Sequence, residues 1–118
     1  MKIDITAVKF ELDTKTRDYA AEKIGRLDKY YKNIVKVDVT LEEHAGDTAN
    51  VRYGAKVKVE IPGTNIFAEE FDKDIFTAID RVEKKAREQL VRTKDKRNPN
   101  PIHKAKKWVS GFFGETKD

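Results

Sequence analysis

Apolar residues recur at every second position in several stretches of the chain and at helical spacing in two others, and this switching of period predicts the architecture. Ile3, Ile5 and Ala7 alternate with Asp4, Thr6 and Val8, which reads as a first strand running to about Phe10. Asp13 and Thr14 offer a capping signal. Ala20, Ile24, Leu27 and Tyr31 then follow one face of a helix that Gly25 is expected to weaken without ending. Val35, Val37, Val39 and Leu41 alternate with Lys36, Asp38, Thr40 and Glu42 as a half-buried second strand. A turn-rich connection, His44 to Asn50, leads to Val51, Tyr53, Ala55, Val57, Val59 and Ile61, the third and longest strand. Pro62-Gly63-Thr64-Asn65 predicts a tight turn, and Ile66 to Phe71 a short returning strand. Asp72 is the expected N-cap of a second helix, with Asp74 in its first turn. Ile75, Ile79, Val82, Ala86 and Leu90 form its apolar stripe, and it continues to about Arg97, where Asn98-Pro99-Asn100-Pro101 stops it.

The order β-α-β-β-β-α fixes most of the topology. A helical crossover makes the first two strands parallel and right-handed, the later strands form an antiparallel meander, and both helices cover the same face. The expected fold class is α+β: a two-layer sandwich, a four-stranded sheet with two helices on one face, in the manner of double-stranded-RNA-binding domains. Residues 1–97 make this domain. Residues 98–118 are a C-terminal linker and tail in which Ile102, Ala105, Val109, Phe112 and Phe113, with Trp108 beside them, have the spacing of a short amphipathic segment.

Composition narrows the class. With 38% hydrophobic and 39% charged residues among 118, one lean core lies under a heavily ionised surface. The absence of Cys excludes disulfides and thiolate metal sites. No apolar run approaches the roughly 20 residues of a membrane span or the length of a signal peptide, so a cytoplasmic protein with no membrane partner is expected. The net charge of +4 is unevenly spread: residues 1–80 hold 13 Lys and Arg against 16 Asp and Glu, whereas residues 81–97 hold 8 against 3. A mildly acidic body carrying a concentrated basic helix points to a polyanion met by one surface.

Signals for catalysis are missing. His44 and His103 are single and far apart, and read as a solvated loop residue and a tail residue. The pairs Glu42-Glu43 and Glu69-Glu70 are neighbours in strands, so each pair points to opposite faces and reads as surface. There is no phosphate-binding glycine loop and no nucleophile elbow. No enzyme, cofactor, metal or small-molecule substrate is expected. The informative feature is the second helix, whose Arg81, Lys85, Arg92 and Lys96 share one stripe, with Lys84 and Arg87 flanking it. Glu88 interrupts the stripe and can pair with Lys84 and Arg92, which leaves a salt-bridged exposed helix as the alternative. On the first helix Lys15, Tyr19, Lys23, Arg26 and Tyr30 share a side. There the cations and aromatics can meet RNA phosphates and ribose, or the two tyrosines can simply cover the core edge.

Asp72-Lys73-Asp74-Ile75-Phe76-Thr77-Ala78-Ile79-Asp80 resembles the D-x-D-[MI]-[YF]-x-A-I-D signature of the ribosome hibernation-promoting and ribosome-associated inhibitor family. Lys85, Gln89-Leu90, Arg92, Lys94 and Lys96 follow at that family's basic and apolar positions. Arg17-Asp18-Tyr19, Lys23-Ile24, Leu27-Asp28-Lys29-Tyr30 and Ile61-Pro62-Gly63 match upstream, so the resemblance spans roughly residues 2 to 97. It implies a non-catalytic translation inhibitor that occupies the decoding region of the small ribosomal subunit and keeps the ribosome idle under stress. The implied partners are the ribosome and its small-subunit RNA, with the tail a candidate contact to a ribosomal protein. The implied RNA-binding residues are Arg81, Lys84, Lys85, Arg87, Arg92, Lys94 and Lys96, with Lys23, Arg26 and Tyr30 of the first helix. Ala7, Asp13 and Glu88 depart from the family pattern, and Glu88 stands where an Arg is usual. The family has short forms and long forms with a second, ribosome-pairing domain; this chain is either a short form or the first part of a long one. A generic structured-RNA-binding module and a regulatory protein-interaction domain remain as alternatives. Lys84-Lys85-Ala86-Arg87 lies mid-helix, whereas a double-stranded-RNA-binding module carries its lysine cluster at the start of the last helix.

Overall fold

The computed structural model describes residues 1–45 and 51–97, so the expected amphipathic tail, the linker and His103 lie outside the described residues. The elements are β1 (Lys2–Val8), α1 (Thr14–Gly25), a 3₁₀ turn (Arg26–Lys29), β2 (Lys36–Ala45), β3 (Val51–Ile61), β4 (Thr64–Asp72) and α2 (Ile75–Arg97). The strands form one sheet in the order β1-β2-β3-β4. β1 runs parallel to β2, and the other neighbours are antiparallel, as the helical crossover requires. This is the expected four-stranded α+β fold.

Register places Val37 opposite Val59, Val39 opposite Val57, and Leu41 opposite Ala55, all on one face. Ile66 and Ala68 of β4 extend that face. Ala20 and Ile24 from α1 and Ile79, Val82, Ala86 and Leu90 from α2 pack onto it, and all six are fully buried. α1 also contacts α2, so both helices lie in one layer. Burying each Leu or Ile side chain contributes roughly 1.5–3 kcal/mol, which makes this seam the main source of stability.

Local departures from the sequence reading have physical causes. Gly25 does end α1: the chain tightens there into the 3₁₀ turn, closed by a hydrogen bond from Tyr30 N–H to the Leu27 carbonyl at 3.0 Å. The tighter winding still puts Leu27 and Tyr31 in the core. At the start of α2 the cap is Asp74 and not Asp72. The Asp74 carboxylate accepts from Phe76 N–H at 3.4 Å, Thr77 N–H at 3.3 Å and the Thr77 hydroxyl at 2.9 Å, while Asp72 accepts from Asp74 N–H at 3.0 Å. The turn before β4 is shorter than expected. Only Pro62 and Gly63 are unpaired, with Gly63 at φ 87°, and Thr64 already pairs with Ile61. His44, expected in a loop, is a strand residue of β2. At α1, Asp13 caps as expected, accepting from Thr16 N–H at 2.8 Å, and the Thr16 hydrogen bonds hold its carboxyl below the usual carboxylate range.

Candidate nucleic-acid interface

α2 runs beside β4, the outer strand of the sheet, and its polar side chains close that edge. Gln89 Nε2 donates to the Phe67 carbonyl at 3.0 Å and Arg81 Nη1 donates to the Phe71 carbonyl at 3.3 Å. Outward carbonyls of an edge strand invite pairing with another chain, and these two donors occupy them. Lys85 lies between Arg81 and Gln89 on the same side of the helix.

The expected basic stripe is therefore divided. Arg81 pairs with Glu70 at 3.3 Å and Asp72 at 3.5 Å, and Lys85 pairs with Glu70 at 3.3 Å. Glu70 faces the helix layer while its neighbour Glu69 faces the other side and pairs with Lys56 at 3.8 Å. Glu70, expected at the surface, is instead largely covered by these cations. Its role follows from the strand alternation, which puts it on the helix side. Arg87 is held on the other flank, 3.9 Å from the buried Glu83 and 5.6 Å from the centre of the Tyr30 ring. A buried carboxylate needs such a counter-charge, so Arg87 has a structural task first. Contact with Tyr30 pushes its guanidinium further up, leaving it charged at every ordinary pH.

The second half of α2 differs. Arg92, Lys94 and Lys96 are exposed, as is Lys84 on the helix crest, and none of these four has an ion pair among the described residues. Glu88 is also exposed, and among the described residues it forms no ion pair with Lys84 or Arg92. A depression of about 330 Å³ is lined by Glu70, Arg81, Lys84, Lys85 and Glu88.

On α1 the structure separates the two readings left open for the aromatic strip. The Tyr19 hydroxyl donates to Asp80 of α2 at 2.6 Å, and its ring meets Phe76 edge-on at 5.0 Å. The Asp80 bond, with partial burial, pushes the Tyr19 phenol above its ordinary value. Lys23 pairs with the same carboxylate at 3.6 Å, and Lys15 lies 5.8 Å over Phe76. Tyr19 and Tyr30 therefore cover the seam between the helices. Arg26 is exposed and, among the described residues, pairs only with exposed Glu22, at 3.5 Å, a contact worth about 0.3–0.5 kcal/mol.

Among the described residues no group of His, Asp and Glu could hold a metal ion, and no helix is long and apolar enough to cross a membrane. A sequence model of the sigma 54 modulation protein / S30EA ribosomal protein family matches residues 3–98. The chain belongs to that family. It is 35% identical over 81 residues to a ribosome hibernation promoting factor of Acidithiobacillus ferridurans, covering 68% of this chain and all of that protein. It is 30% identical over 103 residues to a ribosome hibernation promotion factor of Lactococcus lactis, covering 86% of this chain and 54% of that protein. The chain thus spans about half the length of the latter relative. The N-terminal domain of Thermus thermophilus Protein Y superimposes with a TM-score of 0.67 at 29% identity, over 79% of this chain and 99% of that domain. A ribosomal subunit interface protein from Coxiella burnetii has the same fold, with a TM-score of 0.69 at 19% identity over 80% of this chain and 98% of its own.

Proposed function

We propose that this S30EA-family domain is a ribosome-binding translation inhibitor that occupies the decoding region of the small subunit and promotes ribosome hibernation under stress. It acts as a non-catalytic ligand of ribosomal RNA in the cytoplasm. The observation that carries this reading is the set of exposed cations that have no counter-carboxylate among the described residues: Lys84 on the crest of α2, and Arg92, Lys94 and Lys96 on its second half. Cations held at fixed spacing on a rigid helix can meet successive phosphates of folded RNA without first breaking an internal pair. The names carried by the relatives, ribosome hibernation promoting factors, support the same partner. Lys23 of α1 and Arg26 of the 3₁₀ turn add contacts of their own to this RNA. Arg81 and Lys85 join it by exchanging weak carboxylate pairs for phosphate contacts, since exposed pairs of this kind are worth only about 0–1 kcal/mol.

Sedimentation of the full chain with small ribosomal subunits across a salt series tests the proposal. Co-sedimentation should fall steeply with salt, the logarithm of the affinity losing about 0.7–0.9 per phosphate contact for each tenfold rise in concentration. Binding that ignores salt, or no association at low salt, overturns it.

A further inference from the structure

Among the described residues, no layer covers the face of the sheet turned away from the helices. Register places Thr40, Glu42 and His44 of β2, Arg52, Lys56 and Lys58 of β3, and Phe67, Glu69 and Phe71 of β4 on this face. Phe67 is 63% exposed. Lone exposed apolar side chains need no explanation, and Met1 and Val35 are examples of them. Phe67 is not in that position. It stands directly across from Lys58, in a groove of about 600 Å³ that Lys56, Asp38, Glu69 and Lys85 also line.

Two carboxylates face the groove, and both are already matched. Asp38 pairs with Lys36 at 3.4 Å and Glu69 with Lys56 at 3.8 Å. Lys58 has no ion pair among the described residues, so the charge left beside the ring is positive. The groove is also continuous with the basic helix, because Lys85 lines both it and the depression on α2. Further along β4 the Phe71 ring lies over Gly54, where a Cβ would meet it at 2.8 Å, and His44 meets it edge-on at 5.5 Å. Glycine at this position lets the ring settle on the sheet. Phe67 and Phe71 stand four residues apart on one face of the strand, roughly 13 Å, a distance that an extended single strand of RNA bridges in a few nucleotides.

We infer that this open face is a second RNA site, selective for unpaired nucleotides: Phe67 offers its ring to a base, and Lys58 receives a neighbouring phosphate. Every base has a face that can stack, whereas the paired bases of a duplex are not available to the ring. The inference deepens the proposed function and rests on RNA being the partner of α2. The helix would hold folded RNA, and the sheet would hold a strand that passes round the β4 edge.

The probe is a uridine octamer, with a duplex RNA as the comparison ligand, both titrated into the full chain. The chain has a single Trp, at position 108, so Phe67→Trp in a Trp108→Phe background places the only indole on the groove. The octamer should quench that indole saturably, and the duplex should not. By anisotropy of a labelled octamer, Phe67→Ala and Lys58→Glu should each weaken binding by about fivefold or more, with unchanged melting because both side chains lie outside the core. Octamer binding within twofold of the parent in Phe67→Ala overturns the inference, and so does equal quenching by the duplex. If Phe67→Ala loses ribosome affinity while octamer binding is intact, the face meets a protein, and the RNA assignment fails. Salt-dependent duplex binding with no octamer binding would sink this site and leave the proposed function standing; loss of both would sink the two together.

Discussion

The two halves of α2 carry the same residue types to different ends. From Ile75 to Arg87 most of the cations are paired: Glu70 and Asp72 of β4 bind Arg81 and Lys85, and Glu83, one turn earlier in the helix itself, binds Arg87. Beyond Leu90, the last fully buried residue of α2, Arg92, Lys94 and Lys96 have no such partners among the described residues. A helix of 23 residues is roughly 34 Å long, and its last turns project past the core. Packing occupies the cations that face a neighbouring element and leaves available those on the outer crest, such as Lys84, and those where the helix projects. A count of Lys and Arg cannot tell the two apart.

The comparison breaks most sharply if the projecting half is reversed in charge. Arg92→Glu with Lys96→Glu should weaken small-subunit binding by about 100-fold or more at low salt, and should flatten the salt slope by about 0.7–0.9 per lost contact. Neither side chain is buried, so cooperative melting should be unchanged. The matching reversal in the packed half, Arg81→Glu, should instead lower the melting temperature, because it sets three carboxylates together and frees the Phe71 carbonyl. Equal binding losses from both variants, with both folds intact, would erase the distinction.

Single substitutions sharpen it with smaller effects. Glu88→Arg should tighten binding several-fold and steepen the salt slope, since the carboxylate lies among the cations without stabilising any of them through an ion pair. Equal or weaker binding would mean that this crest faces away from RNA. Glu70→Gln releases Lys85 and weakens the hold on Arg81. We expect a cost of about 0–1 kcal/mol in stability and a modest gain in RNA affinity, read from thermal melts and competition binding of one preparation. A gain without any stability cost would show that the Glu70 pairs do not hold the helix to the sheet.

Much of the fold was legible because a single period runs through each element. Val51 to Ile61 alternates without a break, and the α2 stripe from Ile75 to Leu90 contains the residues that become its buried face. The misjudged points were local contests. Gly25 ends α1 because a 3₁₀ turn buries Leu27 as well as another helical turn would, and Asp74 captures the cap from Asp72 by reaching the backbone and the hydroxyl of Thr77. The site was legible in its charges and not in its pairings. Glu70 meets Lys85, and Asp80 meets Lys23, because folding makes neighbours of residues distant in the chain. Sequence spacing suggested Glu88 as the partner of Lys84 and Arg92, a contact that does not form. The aromatic row on the open sheet face left one trace: Phe67 and Phe71 put apolar residues on the polar side of β4.

The smallest expected effect on binding belongs to the seam between the helices, and it tests whether α1 takes part at all. The Tyr19 hydroxyl donates to Asp80 at 2.6 Å and is turned inward, so Tyr19→Phe should leave ribosome affinity unchanged. It should cost about 0.5–1.5 kcal/mol of stability, or several degrees of melting temperature in a domain of this size. The Asp80 bond raises the phenol above its ordinary value of about 10, and partial burial adds to the shift. A folded-state pKa above the unfolded one means that this stabilisation is fully present below pH 10 and is lost as pH rises through the raised value. The gap in melting temperature between the parent chain and Tyr19→Phe should therefore stay constant from about pH 7 to 9 and shrink above 10. Lys23 still faces Asp80 in the variant, so the link between the two helices, 3.6 Å in the parent chain, remains and the proposed RNA surface should keep its shape. If Tyr19→Phe melts as the parent does yet loses ribosome affinity, the hydroxyl reaches RNA, and the interface must extend from the projecting half of α2 across the seam onto α1.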